Sequence, residues 1–200
     1  MANHVTTHVE FHRISEAGKA KFDELIARLR VKPNSSWSDG RPWLGDMWVD
    51  GKEGSPTYEE TDQYVWTTEN IGPKWCYIDD MDDGYINLVS AWSIPEEGLR
   101  WVFDQIIEVD PTFIATVQYE DEMPNFYGAY VYDKDGTVDM FEDDWDDLKE
   151  LVAIEHPELL ELEEESDEWW ECMNEHMYEA LNEKQWNFLQ EILENLSDEE

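Results

Sequence analysis

Three histidines, His4, His8 and His12, recur at intervals of four near the start of the chain. On a helix that spacing could gather imidazoles around a metal. Here they alternate with Val5, Thr7, Val9 and Phe11, the period-two pattern of a half-buried strand, on which four residues span about 13 Å. Imidazoles so far apart cannot share one ion with bonds of about 2 Å, so a polar strand face is the better reading. A second pattern, DKDGTVDMFE from Asp133 to Glu142, echoes a calcium loop: Asp133, Asp135, Asp139 and Glu142 fall at positions three, five, nine and twelve, with Gly136 at six. Position one would be Val131, which offers no side-chain oxygen, and the preceding segment reads as a strand. A tight Asp-Gly hairpin is expected instead. Cys76 and Cys172 stand far apart in unlike contexts, with neither zinc spacing nor a disulfide framework, and suit a reducing compartment. No metal, stoichiometric zinc included, and no cofactor is expected. Carboxylate pairs are so abundant that none stands out for acid–base work. G-x-S-x-G, P-loop, H-E-x-x-H and paired C-x-x-C patterns are all missing. No catalytic residue is assigned, and the expectation is a protein that is not an enzyme.

Charge is the outlying property. Fifty acids against 13 bases leave a formal net charge of −37. A chain this acidic repels nucleic acid and anionic membranes and attracts basic partners. The charge is uneven. Residues 138–200 hold 24 acids and 2 bases, a net −22, and the remaining 26 acids and 11 bases put −15 on residues 1–137. Disorder is nevertheless not expected, because 41% of residues are hydrophobic and 11 are Trp, enough for a core. MANHVTTHVEFHRIS has neither a basic stretch nor an apolar run, so no secretory signal is expected, and no segment approaches the length of a membrane span. A cytoplasmic protein is expected.

The elements that would carry this charge can be read from periodicity. Residues 3–12 alternate as a strand. Ser15 is placed to cap a helix whose apolar positions are Phe22, Leu25, Ile26 and Leu29. From 32 to about 57 the pattern dissolves into a Gly-, Pro- and Ser-rich insertion holding Trp37, Trp43 and Trp48, and a short strand is expected around Tyr64–Thr67. KWCYID and YINLVSAW form a hairpin turning at Asp82–Asp83–Gly84. Pro95 opens a helix with Leu99, Val102, Phe103, Ile106 and Ile107 on one face. PTFIATVQYEDEMPNFYGAYVYDKDG is two strands around a turn at Met123–Asn125. The order βαββαβ plus one strand predicts an α+β fold of ferredoxin-like type, an antiparallel sheet with both helices on one face. Beyond Thr137 the chain reads as helical, with apolar stripes Trp145–Leu148–Leu151–Val152, Trp169–Met173–Met177–Ala180–Leu181 and Trp186–Leu189–Ile192–Leu193–Leu196. Breaks are expected at Pro157 and Asn182, giving three or four helices. The domain reading is 1–136, ferredoxin-like, and 137–200, an acidic helical appendage.

MANHV, GPKWCYID, AWSIPEEGL and QYEDEMPNFYGAYVYD together resemble a family of phage and plasmid proteins with a ferredoxin-like domain. The resemblance covers roughly residues 1–135 without the insertion. It implies a fold and a mobile-element origin, hence a host-cell cytoplasm, and no activity or site residue.

Function is therefore expected to follow the acid. Glu155 to Glu171 holds nine acids in 17 residues. As a helix it is about 25 Å long, one carboxylate per roughly 3 Å. Duplex DNA carries one charge per about 1.7 Å of axis, or about 3.4 Å per strand. The expectation is a nucleic-acid mimic that inhibits a basic host protein which normally binds nucleic acid: a defence nuclease, a restriction or CRISPR component, or RNA polymerase. The mimic would itself bind no nucleic acid. Its contact residues would be Asp143, Asp144, Asp146, Asp147, Glu161, Glu163, Glu164, Glu165, Asp167 and Glu168. The alternative is a structural or assembly protein whose apolar stripes and loop tryptophans make oligomer or virion contacts. Salt-adapted acidity is a weaker reading, since the charge is Glu-rich and concentrated in one region.

Overall fold

A computed structural model describes residues 3–29, 40–48 and 63–198. Trp37 and most of the expected insertion fall outside them. The described chain runs β1 (His4–Arg13), α1 (Glu16–Ile26), a 3₁₀ turn (Leu44–Trp48), α2 (Gln63–Asn70), β2 (Cys76–Asp82), β3 (Tyr85–Ala91), α3 (Glu96–Ile107), β4 (Ile114–Asp121), β5 (Phe126–Asp133), β6 (Gly136–Asp144), α4 (Trp145–Glu155), a short 3₁₀ helix (Pro157–Glu161) and α5 (Asp167–Asp198). Six strands form one antiparallel sheet in the order β2-β3-β1-β4-β5-β6.

Residues 3–12, 84–92 and 113–121 thus enter one sheet, as their alternation requires. On β1, Val5, Thr7, Val9 and Phe11 are buried, and they face inward because side chains on a strand alternate sides. With Ile86, Leu88, Val117, Tyr130 and Tyr132 they meet Phe22 and Leu25 of α1 and Leu99, Val102, Phe103 and Ile106 of α3 in one core. The two helices touch each other and lie on the same side of the sheet. Ser15 caps α1 by accepting from the Gly18 N–H. Of the loop tryptophans, Trp43 is fully buried and Trp48 stacks on Trp101 with centroids 4.0 Å apart, so both serve packing.

Three expectations need correction. Residues around Tyr64–Thr67 lie in the helix α2, not a strand. Residues 137–144, read as the start of the helical region, belong to β6 (Gly136–Asp144), which pairs with β5 along its length. Local helix propensity loses there because β5 would otherwise present an open edge, and Thr137, Val138 and Phe141 suit a strand. The break at Asn182 does not occur: α5 is one helix of 32 residues. Its buried line runs through Gln185, while Trp186 points outward at 56% exposure. Gln185 donates its side-chain amide to the carbonyls of Tyr119 and Gly128, at 3.1 and 2.9 Å.

The acidic region does not hang from the sheet. Along β5 the residues alternate between two cores. Tyr130 and Tyr132 face α1 and α3, whereas Tyr127, Ala129 and Val131 face α4 and α5. α5 therefore covers the second side of β4, β5 and β6, seated through Met173, Met177, Leu181, Leu189 and Ile192.

Gly128 permits this two-sided packing. A Cβ there would stand 2.4 Å from the Phe141 carbonyl oxygen and 2.5 Å from the Tyr119 hydroxyl. Tyr119 lies across this gap and donates to Glu142 at 2.9 Å. Gly128→Ala should destabilise the fold by about 1–3 kcal/mol through overpacking, read as a lower urea midpoint. An unchanged midpoint would mean that β5 and β6 separate freely.

Asp110 ties α3 and β4 to the start of α1. Its carboxylate accepts from the Ser15 N–H at 2.5 Å and the Thr112 hydroxyl at 2.7 Å. Burial alone would raise this carboxyl. The Ser15 and Thr112 hydrogen bonds outweigh burial and hold it below the ordinary aspartate value. A group lowered in the folded state contributes stability that is complete above its unfolded pKa and is lost as pH falls through the folded one. Asp110→Asn should cost about 1.5–3 kcal/mol near neutrality. The gap from wild type should narrow as pH drops below about 4; a gap constant down to acid pH would show that the charge is irrelevant.

Candidate functional site

The second layer carries the charge, and its caps explain why it is helical. Asp144 ends β6 and caps α4, accepting from the N–H groups of Asp146 and Asp147, while the Asp147 carboxylate accepts from the Asp144 N–H. This reciprocal box satisfies helix donors that would otherwise be bare. Ser166 accepts from the Trp169 N–H and so begins α5, with Asp167 and Glu168 in the first turn where the helix dipole favours anions.

The ten acidic residues expected to make contact divide into two groups. Asp143 is half-buried, accepts from the Tyr127 hydroxyl at 3.1 Å and pairs with Lys184. Asp144 and Asp147 are occupied in the capping box. These three hold structure. Asp146, Glu161, Glu163, Glu164, Glu165, Asp167 and Glu168 are exposed. Glu164 and Asp146 share Lys149, at 3.0 and 2.9 Å.

Reading residues 138–168 alone missed a longer feature. Glu168, Glu171, Glu175, Glu179 and Glu183 are all exposed along α5, three or four residues apart. Such spacing places one carboxylate per turn, about 5.4 Å of rise, on the outer side of a helix about 48 Å long. The signal was present in the sequence, but the expected contact residues stopped at Glu168, and the expected break at Asn182 set Glu183 apart from the rest of one continuous helix.

Between α4 and the 3₁₀ helix lies an open groove of about 480 Å³. Ala153, Leu159, Leu160, Leu162 and Trp169 line its apolar part, and Asp146, Glu150, Glu164 and Lys149 its polar part. Leu160 is 75% exposed. Apolar surface edged by carboxylates suits a lysine or arginine side chain, whose stem is aliphatic and whose head is cationic.

The three N-terminal histidines do not converge. His8 Nδ1 lies 2.6 Å from Asn87 Oδ1, His12 Nε2 lies 2.9 Å from Thr116 Oγ1, and His4 packs edge-on to Trp75. Burial lowers the His12 pKa against the opposing pull of Glu10. Residues 133–136 form the β5–β6 turn, with Asp133 paired to Gly136, as expected of a hairpin. Cys76 is buried, and burial drives its pKa upward, as for a thiol that packs in a core.

Two other histidines do come together. His156 closes α4, Pro157 starts the 3₁₀ helix, and His176 projects from α5. Their rings stack with centroids 3.5 Å apart at 10°. His156 Nδ1 is 3.5 Å from Glu158 Oε1. One ligand atom from each of His156, Glu158 and His176 falls within 4.8 Å of the others, and among the described residues this is the one such group. Cys172 lies one turn before His176, its thiol raised by burial and by the charges of Glu158 and Glu175. These residues are separated by up to 20 positions in sequence, and only the fold of α4 back onto α5 unites them.

No family model, curated protein or solved structure matches the chain. Among the described residues no helix is long and apolar enough to cross a membrane.

The crowding of carboxylates on this layer has a measurable consequence. Both bases beyond Thr137, Lys149 and Lys184, are already paired with acids. The remaining repulsion is exposed to solvent and is screened by salt. Raising the salt from about 0.01 M to about 1 M shortens the screening length from about 30 Å to about 3 Å. The melting temperature should rise by several degrees over that range in sodium chloride. A flat or falling trend would show that the acidic layer does not oppose folding.

Proposed function

We propose that this protein is a non-enzymatic, phage-type interaction protein that mimics nucleic acid and blocks a basic, nucleic-acid-handling protein of its host cytoplasm. The carrying observation is the ridge of exposed carboxylates on α5, continuous with those of Glu161–Glu168 and held on a packed apolar underside. A nucleic-acid-binding cleft is built to exchange ions for a regular line of anions. A line fixed on a helix offers that charge with little ordering cost, whereas a disordered acidic tail must lose entropy on binding. The apolar groove beside Leu160 adds a place for one basic anchor, and anchors of this kind set much of an interface's strength. We further propose that β1, α1, β2, β3, α3 and β4 are a ferredoxin-like unit. The strand order β2-β3-β1-β4, the antiparallel pairing and the shared side of α1 and α3 support this, with β5, β6, α4 and α5 as additions.

The experiment begins with a pull-down from host lysate at low and high salt, followed by competition between the recovered partner's nucleic acid and this protein. Between about 0.05 M and 0.2 M salt the complex should weaken on the order of 10³-fold if it replaces several phosphate contacts. The protein alone should bind neither DNA nor RNA. Single carboxylate substitutions should each cost about 0–1 kcal/mol of binding. Reversing Glu150, Glu161, Glu163, Glu171, Glu179 and Glu183 to lysine together should abolish competition while leaving the circular dichroism spectrum intact, since all six are exposed. Undiminished binding by that variant, or binding indifferent to salt, overturns the mimic. The assembly reading would then stand, favoured by Trp92 and Trp186, exposed at 57% and 56%.

A further inference from the structure

We propose that His156, Glu158 and His176 form a binding site for a divalent transition-metal ion, zinc being the one their chemistry suits best, and that the ion fastens the 3₁₀ helix to α5. The proposal does not depend on the partner reading. Its first support is distance. Zinc bonds of about 2.0–2.1 Å in a tetrahedron put neighbouring ligand atoms about 3.3 Å apart. The His156 Nδ1 to Glu158 Oε1 separation is 3.5 Å, and all three ligand atoms lie within 4.8 Å. The second support is environment. The side chains of His156 and His176 are 28% and 20% exposed, enclosed enough to be held yet open to an entering ion.

The third support is selectivity. So acidic a surface collects magnesium and calcium diffusely through its carboxylates. Two imidazole nitrogens instead favour zinc, copper, nickel or cobalt. The stacked rings present their edges side by side. To close on an ion they turn out of their 10° stack so that the in-plane lone pairs converge. Three protein ligands leave a fourth position for water, as in zinc sites that are not closed.

A bound ion would do structural work at a weak point. The short 3₁₀ helix Pro157–Glu161 and the turn after it join α4 to α5, and Leu159 is the one buried residue of that helix. Ligands on both sides of this connection would cross-link it in the folded state only, so the ion stabilises by mass action.

The test uses full-length protein stripped with chelator and titrated with zinc chloride in millimolar magnesium, which occupies the diffuse sites. One zinc per chain should bind with a raised melting temperature, and cobalt should give the visible absorption of a tetrahedral site with nitrogen ligands. His176→Gln should lower zinc affinity by roughly a hundredfold or more, since loss of even an outer-shell partner costs about 10–100-fold. Glu191→Gln, on an exposed acid elsewhere on α5, should leave it unchanged. Equal zinc affinity in wild type and His176→Gln overturns the site. So does displacement of zinc by magnesium, or a wild-type cobalt spectrum that stays octahedral, which decides the question even should the variant fold poorly.

Discussion

The structure depends on β5 being buried on both sides. Six consecutive residues, Tyr127 to Tyr132, are all buried. Their alternation splits them between the core under α1 and α3 and the core under α4 and α5. A strand in this position can tolerate little change of volume on either side, since both faces are packed to interior density. Gly128 is the sharpest case: the space where its side chain would be is taken by the Tyr119 ring and the Phe141 carbonyl. The hydroxyls of Tyr119 and Tyr127 leave the strand region toward Glu142 and Asp143. Burial and those carboxylates push both phenols upward, so they stay neutral donors.

From this constraint follows the rigidity of the acidic layer. Many like charges on one helix oppose its formation, and no ion pairing among so few bases could cancel them. What holds α5 is the apolar line from Trp169 to Ile192 against β5, β6 and α4, reinforced by the Gln185 amide on two sheet carbonyls. Hydrophobic burial is insensitive to salt in a way that surface repulsion is not. The layer therefore carries its charge at fixed geometry. Fixed geometry is what a mimic of nucleic acid requires and what a merely soluble surface does not. The same fold-back of α4 on α5 brings His156 and His176 into contact, so the rod and the histidine pair share one cause.

The sequence by itself determined most elements whose burial pattern is local, the short helix α2 being the exception, since it reads as a strand. Alternation in residues 3–12 and 113–121, the Pro95-led helix and the two Asp-Gly turns depend on neighbours a few residues away, and they stand where periodicity placed them. It also determined the uneven charge and the exclusion of the N-terminal histidines as one metal site, which needs only strand rise. Tertiary structure decided the rest. β6 is a strand because an edge of β5 was there to be paired, a fact no window of ten residues contains. α5 continues through Asn182 because its apolar underside is covered all the way along, first by α4 and the 3₁₀ helix and then by the sheet, and packing outweighs the modest propensity penalty of one asparagine. Gln185 faces inward and Trp186 outward because two carbonyls of the sheet await a donor at that turn. Asp143, Asp144 and Asp147 became structural because partners at Lys184, Tyr127 and the α4 terminus reach them. Proximity between His156, Glu158 and His176 comes from chain reversal, and one-dimensional spacing carries no record of which helix returns beside which.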